Sequence, residues 1–211
     1  MIPDLQRRID IALADIQLLD HPFYRRWEAG TLQRDELTHY AEQYRFFEAM
    51  LPSFLQQLSE ELSPGSAKDF VDANLSDEVT PPAHVELFDT FARFYDAAPV
   101  SISPATTRLV DAYAQVLRNG PASALAGLYA YESQGAAIAD SKANGLNKHY
   151  EADETALVFW KEHGSIEGDH ARWTLDALAS LDPDLNDVAF AARLVGEAWW
   201  AFLDERELQS A

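Results

Sequence analysis

The sequence predicts an all-α bundle, and three observations carry the prediction. Apolar residues recur at helical spacing between punctuating prolines and glycines, and no alternating strand pattern bounded by turn residues competes with them. Of the 211 residues, 47% are hydrophobic, with 11 Phe, 8 Tyr and 5 Trp to line a large interior. The length suits one domain, residues 1–211, with a core that needs no disulfide or metal staple to fold.

In chain order, the spacing places helices near 3–19, 34–62, 66–78, 84–96, 104–118, 121–143, 152–180 and 184–207. Pro52 is expected to kink the second. Ser103-Pro104 and Gly120-Pro121 open the fifth and sixth with proline at the first helical position, and Asp182-Pro183 separates the last two. The last helix carries Val188, Leu194, Val195, Trp199, Trp200, Phe202 and Leu203 over more than one stripe, so it packs deep or bears a dimer contact.

The chain has no cysteine, which excludes disulfides, thiolate metal sites and cysteine nucleophiles. Any transition metal must therefore be held by His, Asp or Glu. A net charge of −19 opposes binding to nucleic acid or an anionic membrane and suits both solubility and cation uptake. No signal segment or membrane span is visible, and a cytoplasmic location is expected.

The stretch HGSIEGDH (163–170) spaces His163, Glu167 and His170 at i, i+4 and i+7, on one helical face. Such a face either ligates a metal or is a solvated polar surface. Gly164 and Gly168 each cost roughly 1 kcal/mol relative to alanine inside a helix, a break of local rule that points to close approach or function. Further ligands must come from other helices, and Glu78, His84 and Glu132 are the candidates, Glu132 because it stands among apolar neighbours. Oxygen and imidazole donors of this kind suit iron or manganese in O2 chemistry better than structural zinc. A rival constellation exists: Glu36 with His39, and Glu167 with His170, are both Glu-x-x-His pairs of the kind used by ferritin-like di-metal bundles.

Several segments in order, HPFYRRWEAGTL, LTHYAEQYRFF, NLSDE with HVELF, YAYESQ and HGSIEGDH, resemble the haem-oxygenase-like di-metal oxidases, relatives of the TenA thiaminases and of the cofactor-free oxidase of pyrroloquinoline quinone synthesis. The resemblance implies a seven- to eight-helix haem-oxygenase-like bundle. It implies two metal ions, Fe/Fe or Mn/Fe, held by Glu78, His84, Glu132, His163, Glu167 and His170, with O2 as co-substrate. Two departures stand out: Glu167 occupies a position that is more often Asp, and Pro81-Pro82 interrupt the segment between Glu78 and His84.

Within that family the likeness is greatest to the subgroup that makes p-aminobenzoate for folate from its own side chains. It implies Tyr24 as the sacrificed ring, Lys142 as the amino donor, and Tyr40 and Tyr131 as neighbours in the chemistry. Lys142 lies ten residues beyond Glu132 and reaches the metals only if that helix bends, with Gly135 the expected place. A homodimer and an external reductant are expected from the family. Two rival functions remain open: the same site acting on an external amino-acid or fatty-acid substrate, with Arg25, Arg26, Arg45 or Lys142 as carboxylate anchor, and a non-enzymatic interaction module.

Overall fold

The computed structural model describes residues 2–208. Among them are nine α-helices and one 3-10 turn, with no strand. The helices are α1 (Ile2–Leu13), α2 (Pro22–Ala29), α3 (Arg34–Glu61), α4 (Ser66–Val79), α5 (His84–Phe94), α6 (Pro104–Arg118), α7 (Pro121–His149), α8 (Glu154–Ser180) and α9 (Leu185–Leu208). Their starts follow from local chemistry. Ser103 accepts from the Thr106 N–H, and Asp153 accepts from the N–H groups of Thr155 and Ala156, so each caps orphan donors of the helix it precedes.

The structure differs from the sequence expectation at the N-terminus and in α7. The helix expected over 3–19 stops at Leu13, and residues 22–29 form a separate helix, α2. Eight residues are too few to show a period, but both ends are marked: Pro22 stands at the first helical position behind a capping His21, and Gly30 closes the helix at φ 71°. Leu18, in the intervening 3-10 turn, donates its N–H to Gln134 Oε1 at 2.9 Å and so ties the turn to α7. In α7 the chain stays helical past 143 to His149 because Gly145 is no terminator: a Cβ there would lie 2.8 Å from Trp27 Cδ1. That glycine admits an indole. Helix α3 runs through Pro52 to Glu61.

Helix α7 is the centre of the packing, set against α8, α9, α6 and α2, while α8 also meets α4 and α5, and α3 meets α4, α5 and α6. The buried apolar side chains form one contiguous core. Val188, Val195, Trp199, Phe202 and Leu203 of α9 are buried in it, and Leu194 and Trp200 are packed at its margin, while Phe190 points outward. No helix among the described residues is long and apolar enough to cross a membrane.

Two glycine substitutions separate packing from propensity. Gly145→Ala should destabilise by about 1–3 kcal/mol, because the added methyl meets both the Trp27 ring and, at 3.0 Å, the Trp27 carbonyl oxygen. Gly168→Ala meets nothing within 4 Å and should stabilise by about 0.5–1 kcal/mol. Urea denaturation of both variants reads the opposite signs.

Candidate metal centre

Four helices bring their polar side chains into one part of the core. Glu78 lies in the last turn of α4 and His84 opens α5, on either side of a loop containing a cis Pro81–Pro82 bond. The proline pair does not separate them: Glu78 Oε2 and His84 Nδ1 are 2.9 Å apart. Glu132 comes from the middle of α7, and α8 presents His163, Glu167 and His170 on its inner face. The His84 and His163 rings are 4.7 Å apart, and His163 Nε2 lies 3.5 Å from Glu167 Oε1. All six predicted ligands are at most 6% exposed, so the reading of HGSIEGDH as a solvated polar face is wrong.

The donors are conspicuously unpartnered. Glu78 Oε2, His84 Nδ1, Glu132 Oε2, His163 Nδ1 and Glu167 Oε2 are buried with no hydrogen-bond partner. Glu78 and His84 approach within ion-pair distance, yet the contact lacks hydrogen-bond alignment. Among the described residues no three side chains already converge on one point as a finished cage. What the core holds instead is adjacent, buried oxygen and imidazole donors with free lone pairs, an arrangement that fits divalent iron or manganese.

Burial controls the protonation of this cluster. It raises Glu167 well above the usual carboxylate range, and the negative charges of Glu132, Glu78 and Glu48 push in the same direction. Glu132 is raised by burial too, opposed by His170, Thr174 and Asn74, whose Nδ2 donates to Glu132 Oε1 at 2.7 Å. His163 is held well below the ordinary imidazole value by burial, with His84, His170 and Lys142 adding to the effect. Neutral imidazole is the form that ligates a metal. His170 Nε2 meets Asp77 Oδ2 at 3.2 Å, an outer carboxylate that orients the ring.

The rival Glu-x-x-His pair does not join. Glu36 is an ion-pair partner of Arg26 at 2.8 Å and accepts from the Gln33 N–H at the start of α3, and His39 is exposed. The glycines divide as well. A Cβ on Gly135 would stand 2.6 Å from Glu167 Oε2, so this glycine makes room for a carboxylate of the neighbouring helix rather than serving only as a place to bend. Gly164 makes the same kind of room for Asp140 Oδ1, whereas Gly168 faces open space and has no such role.

Behind the cluster lies an aromatic chamber around Lys142. The Lys142 ammonium nitrogen is 2% exposed by residue and donates to the Tyr40 hydroxyl at 2.5 Å, which in turn meets the Tyr24 hydroxyl at 3.0 Å. It also lies over the rings of Trp160 at 4.2 Å, Tyr24 at 4.5 Å, Tyr40 at 4.8 Å and Tyr44 at 4.9 Å. Tyr131 shares a hydroxyl contact of 2.6 Å with Tyr44 and stacks on Trp199. Trp160 and His163 both pack on Phe159, joining chamber to cluster. Burial lowers Lys142 well below the ordinary amine value, opposed by Glu48. The other proposed anchors are paired with carboxylates: Arg25 binds Asp20, Arg26 binds Glu36 and Glu207, and Arg45 binds Asp89.

Residues absent from the sequence reading are Tyr44, Glu48, Asn74, Asp77 and Trp160. A signal existed for two of them: Tyr44 and Glu48 follow Tyr40 at four-residue steps on the buried face of α3.

The family model described as iron-containing redox enzyme matches residues 38–200. The chain is 32% identical to a 4-aminobenzoate synthase of Nitrosomonas europaea, over 94% of this chain and 89% of that one. In structure it is similar to a TenA homologue of Pseudomonas syringae, with TM-score 0.84, 13% identity and coverage of 97% of this chain and 93% of that one. It is likewise similar to a Shewanella denitrificans domain with a haem-oxygenase-like fold, with TM-score 0.78, 14% identity and coverage of 99% and 93%. The helical architecture and the family match agree, and the chain belongs to the iron-containing redox enzymes, oxidoreductases built on the haem-oxygenase-like fold.

Proposed function

We propose that the protein is an O2-dependent di-metal oxygenase that forms p-aminobenzoate for folate synthesis from its own side chains, with Tyr24 supplying the ring and Lys142 the nitrogen. Glu78, His84, Glu132, His163, Glu167 and His170 would hold two irons, or one manganese and one iron. The observation that carries the reading is the buried run Lys142, Tyr40, Tyr24: an amine and a phenol that share one hydroxyl as hydrogen-bond partner inside the core. The identity to the 4-aminobenzoate synthase of Nitrosomonas europaea supports the product. Homodimeric assembly and an external reductant belong to the same proposal.

Bound metals would supply O2 activation and the oxidising capacity. The chain's own residues do the rest. Burial favours Lys142 as a neutral amine, the form that can donate a lone pair. The Tyr40 hydroxyl fixes the Lys142 Nζ and the Tyr24 hydroxyl from one point, so amine and ring are held in register. Burial keeps the Tyr24 phenol protonated, well above its ordinary range, so it carries its proton until oxidised. Trp27, Trp160 and Tyr44 wall the amine and exclude water. An external acid would need a cationic anchor, and the three candidate arginines are bound to carboxylates elsewhere.

Protein given iron, manganese, a reductant and O2 should release p-aminobenzoate with no added substrate, and its mass should fall by the lost side chain. Tyr24→Phe should abolish the product; a Tyr24→Phe protein that still makes it would sink the assignment of the ring. His163→Ala should lose bound metal by elemental analysis, and full retention would remove His163 from the ligand set. Metal affinity should also fall as pH drops. The raised carboxyls of Glu167 and Glu132 take up protons at a higher pH than ordinary carboxylates, and each proton must leave before a metal binds. Chelator competition across the acidic range reads this, and a release midpoint typical of exposed carboxylates would contradict it.

A further inference from the structure

One buried carboxylate stands outside the six-ligand set. Glu48 of α3 lies on the stripe of Tyr40, Tyr44, Leu51 and Leu55, all buried, and is itself 1% exposed. Neither of its oxygens has a hydrogen-bond partner. The Tyr44 hydroxyl, one turn earlier, is near enough to favour the charged form, but its own bond runs to Tyr131 and it meets neither oxygen in hydrogen-bond geometry. Among the described residues no ion pair reaches Glu48 either, and the hydrogen bond of the Lys142 amine runs to Tyr40. A charged carboxylate in this state is costlier than a fold keeps without compensation by a proton or a cation. Glu36 shows how this chain treats a structural buried carboxylate, by giving it an arginine and a backbone N–H.

Glu48 lies one turn beyond Tyr44, whose hydroxyl meets that of Tyr131 at 2.6 Å, and Tyr131 immediately precedes Glu132 of the cluster. The charge of Glu78 of α4 acts on Glu48, and that of Glu48 acts on Glu167 of α8 and on Lys142 of α7. We propose that Glu48 is a further carboxylate ligand of the metal centre, entering it from α3, a helix that contributes none of the six predicted ligands. The inference rests on the di-metal reading above and adds to it. With Glu78, Glu132 and Glu167 it makes four carboxylates, whose charge equals that of two divalent cations, so a core closed to water holds a neutral assembly. Two free oxygens on one residue also permit chelation or bridging.

The test compares full-length wild type with Glu48→Gln and Glu48→Asp, each loaded anaerobically with Fe(II) or Mn(II). Metal per chain is measured by elemental analysis and affinity by chelator competition. Glu48→Gln should lose one metal or bind about tenfold more weakly or worse. Without metal it should melt no lower than wild type, since an uncharged amide replaces an unpartnered carboxylate, and it should gain less thermal stability when metal is added. Unchanged stoichiometry and affinity in Glu48→Gln would overturn the inference. If Glu48→Gln does not fold, Glu48→Asp decides: it keeps the charge but withdraws it by one methylene, so weakened affinity supports ligation and wild-type affinity overturns it. A wild type that binds no metal would sink the di-metal reading itself, whereas loss of metal in His163→Ala alone would leave that reading standing and remove only Glu48.

Discussion

The structure depends on one constraint: ionisable donors are buried in a helical core with their lone pairs unspent. Glu48, Glu78, Glu132 and Glu167, with His84 and His163, all carry buried atoms that meet no hydrogen-bond partner. Any one of these would be a liability in an ordinary core, where polar groups are paired as they are buried. Together they are a different object. Burial raises Glu48, Glu132 and Glu167 and drives His163 towards neutrality, and neighbouring carboxylate charges push Glu167 further the same way. Lys142, a buried amine, is turned to Tyr40 and to aromatic rings instead.

The surrounding architecture serves that cluster. Carboxylates and imidazoles from α4, α5, α7 and α8 approach within a few ångströms, which sets limits on the helices that carry them. Helices α7 and α8 make the most extensive pairing in the fold, and Gly135 and Gly164 remove the β-carbons that would keep their side chains apart. Outer partners then hold the inner ones: Asn74 fixes one oxygen of Glu132, and Asp77 fixes His170. The aromatic chamber has a complementary task. It surrounds an amine with five rings, which offer the ammonium ion electrostatic contact without a counter-charge, and it leaves desolvation to favour the neutral form. Cluster and chamber meet through Phe159 and Trp160, adjacent residues on α8.

Much of this was legible in the sequence where the signal was periodic or punctuated. Pro104, Pro121 and Pro183 mark boundaries that the structure keeps, and the i, i+4, i+7 spacing places His163, Glu167 and His170 on the buried face of α8. Helix α2 was hidden by its brevity, and the end of α7 by a glycine that serves packing. The two Glu-x-x-His pairs are identical as patterns. Only tertiary partners distinguish them: Glu36 finds Arg26, and Glu167 finds other carboxylates. Pro81-Pro82 looked like an interruption because sequence distance says nothing about where a turn returns the chain, and the loop returns His84 to Glu78.

Glu48 is the sharper case, since it belongs to no spacing motif. A solitary Glu in an amphipathic helix of an acidic protein reads as a solvated residue, and the neighbouring Arg45 and Ala49 are indeed exposed. Its significance depends on the phase of α3, which turns Tyr40, Tyr44 and Glu48 inward together. That phase explains why one helix can serve both halves of the site. Tyr40 and Tyr44 reach the amine and Tyr131, and one turn further on Glu48 feels the charge of Glu78. A helix is rigid over that distance, about 12 Å for eight residues. The spacing between the amine chamber and the ligand cluster is therefore set by α3 as a ruler as well as by the α7 and α8 pairing, and any movement of Glu48 must be shared by the tyrosines that hold Lys142.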